Sequence, residues 1–262
     1  MAAGWEEIAG EAEWRGDGRR VSVAARRLAD GREWLREPDR EFPAASTIKT
    51  PILVAVHRAA EAGLLSLDDP ADAGPQHRVA GSGVLAWMTP GARLPLRDHA
   101  YLMMAISDNT ASNVMLAAAG DEAVRTVFGD LGMAGTRLGR RFLGRTPLPE
   151  EGDNFTTAGD LMRLMAAIAE DRAASPSACA AMRDLLALQQ DTDALGRRLP
   201  ERVAFAGKSG WMDLIRHDSG LLTGPGGTVA AAVTTSGFGD RHEVDEVIGR
   251  IAAEIVAEAG IA

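Results

Sequence analysis

The spacing of apolar and polar residues divides the chain into two strand-like ends around a helical middle. In the N-terminal part, EAEWRGDGRRVSVAARRLADGREWLR (residues 11–36) reads as strand-like runs broken by Gly16-Asp17-Gly18 and Asp30-Gly31, both hairpin-turn signals. In the C-terminal part, RVAFAGKSG, LIRHDSGLLT and GTVAAAVTTSG predict three more strands, with Gly224-Pro225-Gly226-Gly227 as a tight connection. Val244, Val247, Ile248, Ile251 and Ile255 then recur at helical spacing, so an amphipathic helix closes the chain.

Between the ends the period is that of a helix. Residues 52–62 are apolar almost all round, as in a buried helix. LRDHAYLMMAIS and NTASNVMLAAAG predict two helices that flank a break at Ser107-Asp108-Asn109. Thr157 followed by Asp160 resembles a capping box opening a helix that runs to Ala169, and SACAAMRDLLALQQ supplies another helix. The expected fold is α/β of the α+β kind. Residues 1–44 and 201–262 pair into one antiparallel sheet with flanking helices, and residues 45–200 form an inserted all-α domain.

Composition narrows the function classes. With 28 basic against 37 acidic residues, net charge −9 and no basic run, nucleic acid is not the expected partner. No stretch of about 18 uncharged apolar residues is present to span a membrane. MAAGWEEIAGEAEW has early acids and no apolar core, so it does not read as a signal peptide, and the expected location is cytoplasmic. The single Cys179 rules out an internal disulfide and reads as a small helical core residue. His57, His77, His99 and His242 lack metal-ligand spacing, so neither metal nor cofactor is expected.

The basic residues hold a more specific signal. Only Lys49 and Lys208 are lysines; the other 26 of the 28 are arginines. Lys49 lies three residues after Ser46, which on a helix places amine and hydroxyl one turn apart on one face. A buried amine can lose its proton and accept one from serine, whereas a guanidinium cannot. Pro51 is compatible with a helix that begins near Ser46, whose free N–H groups would suit a developing anion.

Ser46-x-x-Lys49, Ser107-Asp108-Asn109 and Lys208-Ser209-Gly210, in that order, resemble the motif set of class A β-lactamases and penicillin-binding proteins. The separations (107 − 46 = 61 and 208 − 107 = 101 residues) are similar to those of class A members, as are FPAAST, LMMAISDNTASNVMLAAAG and Thr136-Arg137-Leu138. The resemblance covers nearly the whole chain. It implies a β-lactamase-like fold with Ser46 as the acylated nucleophile and Lys49 as its activating amine. Ser107 would relay a proton to the leaving nitrogen, and Asn109 would hold the substrate's amide side chain. Lys208 and Ser209 would face a substrate carboxylate, and Lys208 would also hold Ser107. The N–H groups of Ser46 and of Trp211, just after Gly210, would form the oxyanion hole. Arg216 would either contact the substrate carboxylate or form a salt bridge at the sheet edge.

The chain departs from the family at the loop after Leu138. There, class A enzymes carry a glutamate that activates the deacylating water; the matching position is Phe142, which cannot accept a proton. Glu150, Glu151 and Asp153 follow in the same loop as possible substitutes. His217-Asp218 suggests a Ser-His-Asp triad, but no G-x-S-x-G elbow accompanies it, and Gly81-Ser82-Gly83 does not qualify. The expected function is a serine hydrolase forming acyl-Ser46 from a small-molecule β-lactam, amide or ester, with slow deacylation. A cytoplasmic transacylase or amide hydrolase of small-molecule metabolism, and a β-lactam sensor acylated once, are the alternatives.

Overall fold

The computed structural model describes residues 4–14 and 18–262. The first element is helix α1 (Trp5–Trp14), and its last four residues fall at the start of the stretch 11–36 whose pattern reads as strand-like. Trp5, Ile8, Ala9 and Ala12 recur three or four apart and are buried, so the period is helical, and Glu6 and Glu7 suit the positive N-terminal end. Gly16 and Asp17 lie outside the described residues, and their segment joins α1 to a strand rather than two strands to each other.

Strands β1 (Arg20–Arg27) and β2 (Glu33–Arg36) form the expected hairpin at Asp30-Gly31, where Gly31 takes φ +74°. Next come β3 (Phe42–Pro43), a 3₁₀ turn at Ala45–Ile48 and helix α2 (Lys49–Glu61), with Pro51 in the first turn of α2. Short strands β4 (Pro70–Asp72) and β5 (Arg93–Pro95) pair with each other ahead of α3 (Leu96–Ala105), α4 (Asn109–Ala119) and α5 (Asp121–Asp130). β6 (Phe155–Thr156) pairs with β3, and α6 (Ala158–Ala169) and α7 (Pro176–Leu186) follow. Residues 45–200 are therefore not purely helical. Their strands are two or three residues long, too short to leave a periodic signal.

The chain ends with β7 (Ala204–Met212), β8 (Ile215–Gly224), β9 (Gly227–Ser236) and α8 (Arg241–Ala259). The main sheet is antiparallel in the order β2-β1-β9-β8-β7, so the N-terminal hairpin joins the C-terminal strands through β1 and β9. Alternation along β9 divides the core in two. Val229, Ala231 and Val233 pack with α1 and α8 residues on one face, while Ala230 and Ala232 join the cluster that includes α2 through α7 on the other. Each fully buried Val, Leu, Ile or Met in these clusters contributes on the order of 1.5–3 kcal/mol. Helix α6 packs directly on β9 and β1.

Thr157 caps α6 as expected, but Asp160 does not complete a capping box: its carboxylate accepts from Gly135 N–H and the Thr136 hydroxyl instead. The helix expected through residue 190 stops at Leu186, freeing Gln189 and Asp191 for the edge of β7. Cys179 is fully buried in a helix. Among the described residues no helix is long and apolar enough to cross a membrane, and no cluster of His, Cys, Asp and Glu is arranged to hold a metal ion.

Candidate active site

The three motifs meet where α2, the α3–α4 break and the edge strand β7 converge. Ser46 sits in the 3₁₀ turn, preceded by Ala45 at φ +47°. Ser107 lies between α3 and α4 at φ +58°. Left-handed conformations cost a non-glycine residue roughly 1–2 kcal/mol, so two strained positions fall on the two serine motifs.

Lys49 is the centre of the arrangement. It is fully buried, and Nζ donates to Ser107 O (2.7 Å), Ser107 Oγ (2.9 Å) and Asn109 Oδ1 (2.9 Å). Burial, reinforced by the charge of Lys208, pushes its pKa well below 10.5, with Asp108 opposing. Ser46 Oγ is not among its hydrogen-bond partners. The structure thus brings Lys49 to Ser107 and Asn109, with Ser46 one turn away along the chain.

Asp108 fixes the break. Its Oδ1 caps α4 by accepting from Ala111 N–H (2.9 Å), and Oδ2 accepts from the N–H groups of Val84 (2.6 Å) and Leu85 (2.8 Å). The Gly81-Ser82-Gly83 turn is drawn against the same motif: a Cβ on Gly83 would lie 2.3 Å from the Asp108 carboxylate. Ser82, which enters from the sequence only as the centre of a turn that does not qualify as an elbow, thereby lines both cavities described below.

Gly210 is required by close approach. A Cβ there would lie 2.8 Å from Ser46 N and 3.1 Å from Thr47 N, so only glycine lets β7 lie against the nucleophile's backbone. Lys208 is buried and donates to Ser209 O (2.8 Å) and Gln189 Oε1 (3.3 Å), not to Ser107 as the resemblance implied. Burial lowers its pKa to about 8, against the raising charges of Asp218 and Asp191. Trp211 is 54% exposed at the mouth, with the Arg241 guanidinium 5.8 Å from its ring centroid.

Arg216 does not face the site as a free cation. It is buried, with Nε on Asp245 Oδ1 (2.5 Å) and Nη1 and Nη2 on Asp191 (2.9 and 3.0 Å). It forms salt bridges, but on the inner strand β8 rather than at the sheet edge, and two carboxylates occupy its fork because a buried guanidinium needs them. His217 belongs to no triad: its ring nitrogens meet Pro43 O (2.9 Å) and Thr235 N–H (3.1 Å), tying β8 to the chain just before Ser46.

Ser46 opens onto two cavities. The larger, about 490 Å³, is lined by Asn109, Phe142, Leu143, Asp153, Trp211 and Met212 among others. The smaller, about 390 Å³, is lined by Ser107, Gln189, Asp191, Lys208, Ser209 and Arg241 among others. Phe142 is buried with its ring centroid 4.8 Å from Lys49 Nζ. Its backbone is clamped by Asn113, which accepts from Phe142 N–H (3.0 Å) and donates to Phe142 O (3.0 Å). Neither Glu150 nor Glu151 lines either cavity; Glu151 is held by Arg145 (2.7 Å to each oxygen), which lowers its pKa to about 2. Asp153 does line the larger cavity, paired with Arg140 at 2.7 Å.

Comparison with known proteins agrees with this geometry. A family described as "Beta-lactamase enzyme family" matches residues 6–259. A β-lactamase from Sphaerobacter thermophilus is similar at 35% identity and TM-score 0.94, over 98% of this chain and 97% of that one. A leucine-to-glutamate mutant of PBP-A, solved as an acyl-enzyme complex with penicillin G, is 25% identical with TM-score 0.87, over 97% and 95%. A variant of the class A β-lactamase of the last common ancestor of Gram-negative bacteria is 25% identical with TM-score 0.86, over 97% of both chains. No curated protein matches significantly. From its sheet of two chain ends to its buried Lys49, the chain has the β-lactamase-like serine hydrolase fold, and it belongs to the β-lactamase enzyme family.

Proposed function

We propose that the protein opens β-lactams, or related amides and esters, by transferring their acyl group to Ser46, and that it releases that group slowly. The observation that carries the first half is the fully buried Lys49, bonded to Ser107 and Asn109 one turn from Ser46. An amine with so lowered a pKa is poised to take the Ser46 proton and pass it through Ser107 to the leaving nitrogen. The backbone N–H groups of Ser46 and Trp211 would receive the developing oxyanion, a donor in such a site being worth about 2.7–4 kcal/mol. Asn109 lines the larger cavity, where the acyl side chain would lie against Phe142, Leu143 and Met212.

The second half rests on Phe142. Its phenyl ring stands beside Lys49, where deacylation calls for a base that holds water. Losing a general base costs about 10²–10⁴-fold. Nitrocefin or benzylpenicillin should give a burst near one equivalent of enzyme, then a slow steady rate, and Ser46→Ala should abolish both. A steady rate matching an efficient β-lactamase would reject slow release, and Asp153→Asn would then test the one loop acid that lines the cleft with Ser46. Labelling that survives Ser46→Ala would reject the nucleophile.

A further inference from the structure

The smaller cavity beside Lys208 and Ser209 already contains a carboxylate of the chain itself. Asp191 Oδ2 accepts from Ser209 Oγ (2.9 Å) and Arg216 Nη1 (2.9 Å), and Oδ1 accepts from Arg216 Nη2 (3.0 Å) and Arg241 Nη2 (3.0 Å). Ser209 and Arg216 are donors that the resemblance offered to a substrate carboxylate, and Asp191 engages both, with Arg241, while Lys208 Nζ is turned to Gln189 Oε1 and Ser209 O. Burial by itself would raise its pKa, but the Arg216 and Ser209 hydrogen bonds and the nearby Arg241 charge outweigh it and bring it to about 2, so it is ionised at neutral pH.

The charges close to balance. Lys208, Arg216 and Arg241 stand against Asp191, Asp193, Asp245 and the buried Asp218, with Asp193 lining the same cavity, Asp245 bonded to both arginines and the Asp218 charge acting on Lys208 and Arg216. Ser209 has one hydroxyl proton and gives it to Asp191, so toward the cavity Ser209 Oγ offers a lone pair. A second anion placed there would meet the Asp191 charge within a few ångströms and find Arg216 buried behind it.

We propose that Asp191 is a specificity determinant that occupies the place of a substrate carboxylate, so that the group bound beside Lys208 and Ser209 is an uncharged amide or ester. This rests on acyl transfer to Ser46 as proposed above. Among β-lactams, amides and esters, the site then favours acyl donors that are neutral on the leaving-group side over the corresponding free acids.

Benzylpenicillin and benzylpenicillin methyl ester differ in that charge and by one methyl group, and intact-protein mass spectrometry gives the rate at which each acylates Ser46. The wild-type protein should react with the ester at least as fast as with the acid. In Asp191→Asn the acid-to-ester rate ratio should rise about tenfold or more, the scale of removing one close charge in a partly buried site. A wild-type preference for the acid, or a ratio unmoved by the substitution, overturns the proposal. If Asp191→Asn fails to fold by circular dichroism, the wild-type ratio alone decides. Failure of both compounds to label Ser46 in either protein overturns the acyl-transfer reading, and the proposal with it.

Discussion

At the residue scale, the two lysines make different demands on their positions. Lys49 is buried against Ser107 and Asn109 with a strongly lowered pKa, whereas Lys208, at about 8, lies among Asp191, Asp218 and Gln189. Lys49→Arg should cost acylation about 10²–10⁴-fold, because a guanidinium keeps its proton. Lys208→Arg keeps the positive charge and should lose much less. Acylation by Lys49 should also rise with pH through a limb far below 10.5, since only the neutral amine accepts the serine proton. Stopped-flow acylation rates of the wild-type protein and both variants across pH check this; equal, mild losses would contradict it. The two lysines were legible because arginine replaced lysine everywhere else. Asp191 was not, since an aspartate in a polar loop carries no sign of the two arginines that fold onto it from β8 and α8.

At the scale of elements, the site depends on how closely an edge strand can lie against a turn. The β7 edge packs on the 3₁₀ turn through Gly210, and nothing in the sequence except the motif itself revealed that contact. Gly210→Ala places a methyl group 2.8 Å from Ser46 N, so the strand must withdraw and carry the Trp211 N–H with it. Such overpacking typically costs about 1–3 kcal/mol. Acylation should fall by more than about tenfold while the urea midpoint drops only modestly; acylation at the wild-type rate would show that the contact is not needed. The long helices and long strands were readable from their period. Helix α1 carries an apolar stripe of only about two turns, from Trp5 to Ala12, ahead of the strand-like runs, and β3 to β6 are too short for any period to show.

At the scale of the whole molecule, two adjacent buried groups on β8 set opposing responses to pH. Burial raises the Asp218 pKa from 3.8 to about 7, against the lowering charges of Arg216 and Lys208. Between these values the native state keeps a proton that the unfolded chain has lost, so stability falls as pH rises. Burial lowers the His217 pKa from 6.5 to about 4, with its Pro43 hydrogen bond opposing. There the unfolded chain binds the extra proton, so stability rises with pH. Asp218→Asn removes the first response. Whatever it costs in absolute stability, it should make the slope of stability against pH more positive between about pH 4.5 and 6.5, by about 1.4 kcal/mol per pH unit. Thermal melts across that range check it, and an unchanged slope would mean that Asp218 is ionised throughout. The sheet of two chain ends was visible from strand patterns at both termini. Its pairing of β1 with β9 is a long-range choice that no local pattern encodes.

The Asn113 clamp on Phe142 grips only main-chain atoms, one N–H and one C=O. Position 142 is therefore a socket: any side chain fitted there would be presented to Lys49 from the same backbone. On the acyl-transfer reading, that separates capture from release in evolutionary terms. Changes at one codon could lengthen or shorten the lifetime of the captured acyl group, turning a trap into a catalyst or back, while Ser46, Lys49 and the β7 edge stay in place.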